Sequence, residues 1–125
     1  MTKRYSAKAP SQRQKRVAEF VRDIITEIIL RGDLQHISSL DVSVTSVSVS
    51  PDLRYATIYV SPRPSGHGKK AKTEEKILAN LHNARKFIRA HLAQNMTSRV
   101  CPELSFQKDM NIEHATQVTH TLNRL

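Results

Sequence analysis

Residues 47–61 read VSVSPDLRYATIYVS, two period-two runs flanking a four-residue turn. Val47 and Val49 alternate with Ser46, Ser48 and Ser50, and Ala56, Ile58 and Val60 alternate with Tyr55, Thr57 and Tyr59. Each run can therefore bury one face and solvate the other, which is the pattern of a β-hairpin. Pro51 presets φ at the second turn position and Asp52 suits the third. A hairpin this short is no domain by itself, so its apolar face needs cover from other parts of the chain.

Helices flank it on both sides. Ser11 opens the first, with Gln14 in capping-box spacing and Gly32 placed to end it; Val17, Phe20, Val21, Ile24, Ile25 and Ile28 form one apolar stripe. Lys15 and Arg22 point away from that stripe, beside Glu19 and Thr26, an arrangement that a plain solvated face also shows. From Leu40 the pattern turns to period two. Leu40, Val42 and Val44 share one parity and Val47 and Val49 the other, so a β-bulge at Thr45 and Ser46 is expected to restore a common buried face. Residues 62–72, PRPSGHGKKAK, read as a mobile basic loop. Thr73 can cap a second helix with Glu74 and Glu75 near its positive end, and its stripe runs Ile77, Leu81, Ala84, Ile88 and Leu92 with Phe87 alongside. A break near Thr97 and Ser98, then Pro102, precedes a short strand in which Leu104 and Phe106 share a face.

The order helix, strand, strand, helix, a possible further helical segment and strand is that of an α+β domain, a small sheet covered on one side by helices. At 125 residues and 38% apolar content, one domain is expected. It spans 11–109, between a flexible basic arm at 1–10 and a polar tail at 110–125 that is read as a frayed helix or disorder.

The charge points to a partner. Lys and Arg number 20 against 11 Asp and Glu, a net charge of +9. That is the footprint of a nucleic-acid ligand, although a solubilising surface has the same composition. No apolar run is long enough to span a membrane, and the basic start lacks the apolar centre of a secretory signal, so a cytoplasmic protein is expected. The acid-free start also fits a transit peptide, but it is short and runs directly into a helix.

Within residues 76–102 there is no Asp or Glu, while Lys76, Arg85, Lys86, Arg89, Arg99, His82 and His91 all fall there. On a continuous helix His82, Arg85, Lys86 and Arg89 project within about 100° of one another, opposite the apolar stripe. Such a ridge binds phosphates by releasing counterions and does not read sequence. Lys15, Arg16, Arg54 and the loop lysines Lys69, Lys70 and Lys72 complete the candidate RNA-binding set.

Catalytic and metal constellations are poor. Cys101 is the only cysteine, so it forms no intrachain disulfide and reads as a packing residue. The six histidines include no metal-binding i, i+4 pair. No nucleophile elbow, Walker loop or dinucleotide fingerprint occurs. Neither enzyme activity, metal, cofactor nor small-molecule substrate is expected. The alternatives to RNA binding are a protein-interaction module docking through the tail, or an RNA-processing enzyme whose acid-base pair is not visible.

Three segments together, residues 13–30 (RQKRVAEFVRDIITEIIL), 47–61, and 87–109 (FIRAHLAQNMTSRVCPELSFQKD), resemble the ribosome-binding factor A family. The S-P-D-L-R-Y-A turn and the R-x-x-P-E-L-x-F element, here Arg99 to Phe106, carry the resemblance. It implies a KH-like fold of the type II arrangement, α-β-β-α-(kink)-α-β with a three-stranded sheet. It also implies binding to the small (30S) ribosomal subunit and a non-catalytic role in late maturation of 16S ribosomal RNA, including its 5′-terminal region, with importance in the cold. A monomer is expected. The family pattern has Ala-x-Gly at the kink, whereas this chain has Ala84, Arg85 and Lys86. A lysine fits a regular helix better than a glycine, so the bend is expected to be shallower or to use another residue.

Overall fold

The computed structural model describes residues 9–68, 71–96 and 101–110. Six elements follow in order: α1 (Gln12–Arg31), β1 (Val42–Val49), β2 (Tyr55–Pro62), α2 (Glu74–Asn83), α3 (Arg85–Asn95) and β3 (Glu103–Lys108). The sheet order is β1-β2-β3, with β1 antiparallel and β3 parallel to the central β2. A parallel neighbour requires a crossover, and α2 and α3 supply it.

The first helix has the expected ends. The Gln14 amide N–H donates to Ser11 Oγ at 3.1 Å, and the Gln14 side chain accepts from the Ser11 N–H at 2.9 Å. Gly32 takes φ 76° and its N–H closes onto the carbonyls of Ile28 and Ile29. Gln14 also donates from Nε2 to the Val49 carbonyl at 2.8 Å, which ties the start of α1 to the end of β1.

The hairpin turn is closed by the Leu53 N–H on the Ser50 carbonyl at 2.9 Å. Asp52 accepts from the Ser50 hydroxyl at 2.6 Å and the Arg54 N–H at 3.1 Å, and these bonds hold its carboxyl below the ordinary carboxylate value. Leu53 has φ 63°, a left-handed conformation that a leucine adopts at a cost, and its side chain is buried. The bulge falls where the parity slips: Val44 pairs with Val60 and Ser46 with Tyr59, leaving Thr45 as the extra residue. Its hydroxyl lies between the Tyr59 carbonyl, at 3.0 Å, and the buried Asp109 carboxylate.

Helices cover one face of the sheet. Val21, Ile25 and Ile28 of α1, Ile58 and Val60 of β2, and Ile77, Leu81, Ile88 and Leu92 of α2 and α3 are all but fully buried. Each such side chain contributes about 1.5–3 kcal/mol through removal from water. Leu104 joins this core and Phe106 packs against it.

Two expectations need correction. Leu40 does not continue the buried strand face: a turn at 38–41, with the Asp41 N–H on the Ser38 carbonyl, starts the strand at Val42 and leaves Leu40 82% exposed. Leu34 and Ile37 fill that corner of the core instead. The segment 62–72 is also not a plain loop. Pro62 is a buried residue of β2, and Ser65 and Lys72 form an antiparallel bridge with N–H to carbonyl distances of 3.0 and 2.6 Å. The expected arm and tail lie almost wholly outside the described residues, as does the break at Thr97 and Ser98. Among the described residues, no helix is long and apolar enough to cross a membrane.

Candidate nucleic-acid interface

The acid-free segment folds as two helices rather than one. Ala84 separates them with φ −85° and ψ 1°, a bridge conformation between turns. Its N–H is shared by the carbonyls of Asn80 and Leu81, at 3.0 and 3.1 Å, and its carbonyl accepts from Ile88 at 3.0 Å. The break thus falls on the first residue of the Ala84, Arg85, Lys86 triplet and needs no glycine. Arg85 and Lys86 become the first residues of α3.

The break revises the projected ridge. His82 and Arg85 remain together, with Nδ1 and Nη1 3.4 Å apart, and Lys86 next to them is exposed. Arg89 turns toward β3. It donates from Nε to the Pro102 carbonyl at 3.2 Å and from Nη2 to the Cys101 carbonyl at 3.0 Å, and Nη2 lies 3.5 Å from the Glu103 carboxylate. Of the four projected side chains, three share the region of the break, and Arg89 instead holds the entry to β3.

The other candidates fall into separate groups. Lys15 and Arg16 are exposed near the start of α1, and Arg54 is exposed beyond the hairpin turn, where its carbonyl accepts from the Glu103 N–H at 2.7 Å. At the far end of the sheet Lys72 Nζ meets the buried Asp41 carboxylate at 2.9 Å, and Lys76 Nζ donates to the Ala71 carbonyl at 3.0 Å. Burial tends to raise the Asp41 carboxyl's pKa, but the bonds from Lys72 and Ser38 outweigh it and hold the group below its ordinary value. Lys69, Lys70 and Arg99 lie outside the described residues.

Arg63 was not singled out from the sequence. It clamps the 39–43 corner by donating to the Leu40 carbonyl at 3.0 Å, the Ser43 hydroxyl at 3.2 Å and the Ser39 carbonyl. A lone arginine after a proline carries no signal of that role. Lys108 was also passed over and pairs with Glu74 at 3.1 Å.

One electrostatic feature of α3 stands out. Ala84 gives its start no side-chain cap, and the first turn holds no acid but begins with Arg85 and Lys86. Cations are unfavourable at the positive end of a helix dipole, so this end is built to gain from an added anion. By contrast α2 is capped by Thr73, whose hydroxyl accepts from the Lys76 N–H at 3.2 Å, and its first turn carries Glu74 and Glu75.

Burial pushes the Cys101 thiol above its ordinary 9.0 despite the nearby Arg89 charge, so it stays protonated at neutral pH. Among the described residues no group of three or more His, Cys, Asp or Glu side chains is placed to hold a metal ion.

An antiparallel hairpin with a parallel third strand, one helical layer and a break between α2 and α3 make the α+β domain expected of the KH-like type II arrangement. The sequence matches the family model for ribosome-binding factor A over residues 13–122. Ribosome-binding factor A of Thermomicrobium roseum is 42% identical over 116 residues, covering 93% of this chain and 85% of its own. That of Methylobacterium sp. strain 4-46 is 37% identical over 124 residues, covering 98% and 85%. In fold, the crystal structure of ribosome-binding factor A from Thermus thermophilus superposes with a TM-score of 0.61 at 21% identity, covering 76% of this chain and 94% of that one. A second similar structure is the Thermus thermophilus homology model fitted into a cryo-EM map of a 30S–RbfA complex, with a TM-score of 0.51 at 22% identity over 70% of this chain and 86% of that one. The chain belongs to the ribosome-binding factor A family.

Proposed function

We propose that this protein is a non-catalytic assembly factor that binds the 30S subunit and assists late maturation of 16S ribosomal RNA, including its 5′-terminal region. It acts in the cytoplasm as a monomer and is important in the cold. The family supports the ribosomal partner, and the Thermus thermophilus protein is one described in complex with the 30S subunit. The observation that carries the RNA reading is the uncapped, doubly cationic start of α3. A phosphate there accepts from backbone N–H groups and from Arg85 and Lys86 at once, which relieves the repulsion between these cations and the helix dipole.

The working unit is 11–109, with 1–10 and 110–125 as a basic arm and a tail. His82 extends the backbone contacts at the α3 start, and Lys76, Arg54, Lys15 and Arg16 add charge from other parts of the surface; Lys69, Lys70 and Arg99, outside the described residues, complete the proposed set. Lys72 and Arg89 contribute through the frame they hold as well as through charge.

Co-sedimentation with purified small subunits tests this. The double variant Arg85→Glu/Lys86→Glu keeps its thermal stability and loses subunit binding, while the wild type loses roughly 0.7–0.9 in log affinity per log unit of salt for each phosphate contact. Unaltered binding by that variant overturns the reading. If removal of residues 112–125 abolishes binding instead, the protein docks on a ribosomal protein through its tail.

A further inference from the structure

Beside the helix break runs a groove of about 380 Å³, lined by Asp33, Gln35, His36, Asn80, Asn83 and Phe87. Its size falls in the range of small-ligand clefts. Phe87 leaves 51% of its surface to solvent although it belongs to α3, whose other large apolar residues Ile88 and Leu92 are fully buried. A half-exposed aromatic side chain thus shares the groove with the amides of Gln35, Asn80 and Asn83. His36 has φ 65°, a left-handed conformation costly for a residue with a side chain. Asn80 fixes it by donating from Nδ2 to the His36 carbonyl at 3.4 Å. The side chains of Gln35 and Asn83 make no hydrogen bond among the described residues.

We infer that this groove receives a single unpaired nucleobase, stacked on Phe87 and held at its edge by the amides of Gln35 and Asn83. The inference rests on the RNA-binding reading above and deepens it. Stacking needs a ring with a free face, which Phe87 offers, and every base supplies the matching π-surface. Edge recognition needs donors and acceptors not already spent, which the two amides provide. The lining includes Ala84 and Phe87, the residues on either side of Arg85 and Lys86, so a backbone held at the α3 start passes close to the groove. The Asp33 carboxylate, 4.0 Å from Arg31 Nη1 and still partly exposed, only accepts hydrogen bonds, which favours a base edge that presents N–H groups. An acid would repel a phosphate, and its place on this wall suits the base rather than the backbone.

The test uses the full chain and two blunt-ended RNA duplexes with the same number of base pairs, one fully paired and one with a single bulged nucleotide. The wild type binds the bulged RNA more tightly by about five- to hundredfold, the range of one base stacked on an aromatic ring. Phe87→Ala removes this preference and leaves affinity for the paired RNA unchanged, and Phe87→Trp restores it. Asn83→Leu, at an exposed position, lowers the preference without altering the ring. Arg85→Glu/Lys86→Glu weakens both RNAs together, so failure of the parent reading shows as loss of paired-RNA binding in the wild type and failure of the groove shows as equal binding of the two RNAs. Equal wild-type affinities, or parallel loss of both in Phe87→Ala, overturn the inference. So does loss of small-subunit binding by Phe87→Ala with the bulge preference intact, which assigns the groove to a protein segment.

Discussion

Lys72 Nζ stands 2.9 Å from Asp41 Oδ2, joining the end of the basic connection to the turn that precedes β1. The two partners are unequal, because the Asp41 side chain is buried while that of Lys72 is 41% exposed. Asp41 also accepts from the Ser38 N–H at 3.0 Å, so its removal unties a backbone donor as well as a cation. Asp41→Ala is expected to cost about 1–3 kcal/mol and Lys72→Met less than about 1 kcal/mol. Urea denaturation of the two variants measures this, and equal costs contradict it.

The same carboxylate sets an acid limit. Its folded pKa lies below the ordinary 3.8, so between those values the unfolded chain binds more protons than the folded one. Its stabilisation is complete above the ordinary value and drains away as the pH falls through the folded one. Asp41→Asn is expected to flatten the fall in stability below about pH 4 and to leave the neutral plateau of similar shape. Denaturation midpoints recorded from pH 6 down to pH 3 decide it, and an unchanged acid slope contradicts it.

Arg89 shows where charge reading stops and packing takes over. Its guanidinium serves two carbonyls and a carboxylate at the entry to β3, so Arg89→Leu is expected to lower stability by about 1–3 kcal/mol. Arg85→Glu/Lys86→Glu, at sites without such anchors, is expected to leave it unchanged or raise it by up to about 1 kcal/mol, because acids suit the positive end of α3. A charge-reversal test that included Arg89 would confuse unfolding with lost RNA contacts. Thermal melts of the two variants separate the effects, and a stable Arg89→Leu contradicts the anchor.

Much of the fold was legible because its signals are local. Ser11 with Gln14, Gly32, Thr73 and the parity slip at Thr45 each act within a few residues, and each appears at its expected place. Leu40 was misread because alternation alone does not reveal that the 38–41 turn precedes the strand. The candidate site was less legible. A helical wheel assumes continuity, and one residue at bridge dihedrals, Ala84, breaks it. Arg89 and Arg63 spend their charge on carbonyls 12 to 24 residues away, a pairing that no spacing rule encodes. The groove at Phe87 was hidden for the same reason, since residues 33–36 and 80–87 meet only in three dimensions. Phe87 lies beside the stripe on the wheel, and only packing shows that, among the described residues, about half of it stays exposed.

Gly32 offers a backbone test free of packing. A Cβ built there meets nothing within 4 Å, so the cost of Gly32→Ala comes from φ 76° alone. About 1 kcal/mol is expected, and Gly32→Asn, which tolerates the left-handed region, costs less. Chemical denaturation ranks the three chains, and an alanine as stable as glycine would show that the helix end rearranges.

Lys86 gives the last prediction, because it stands where the family resemblance leads one to expect glycine. Two accounts of the break differ at this position. If a flexible residue is needed for the bend, Lys86→Gly should improve the geometry and leave stability unchanged or higher. The structure favours the other account: the bend is made one residue before α3 begins, at Ala84, and Lys86 lies inside the helix. Glycine within a helix costs about 0.5–1 kcal/mol through backbone entropy. Lys86→Gly is therefore expected to lower stability by at most that amount, since losing a cation from the positive end of α3 offsets part of the cost, to leave the backbone chemical shifts of Ala84 in place, and to weaken small-subunit binding by the loss of one cation at the α3 start. A stabilised variant, or an Ala84 whose shifts move to helical values, would show that the bend depends on position 86 after all.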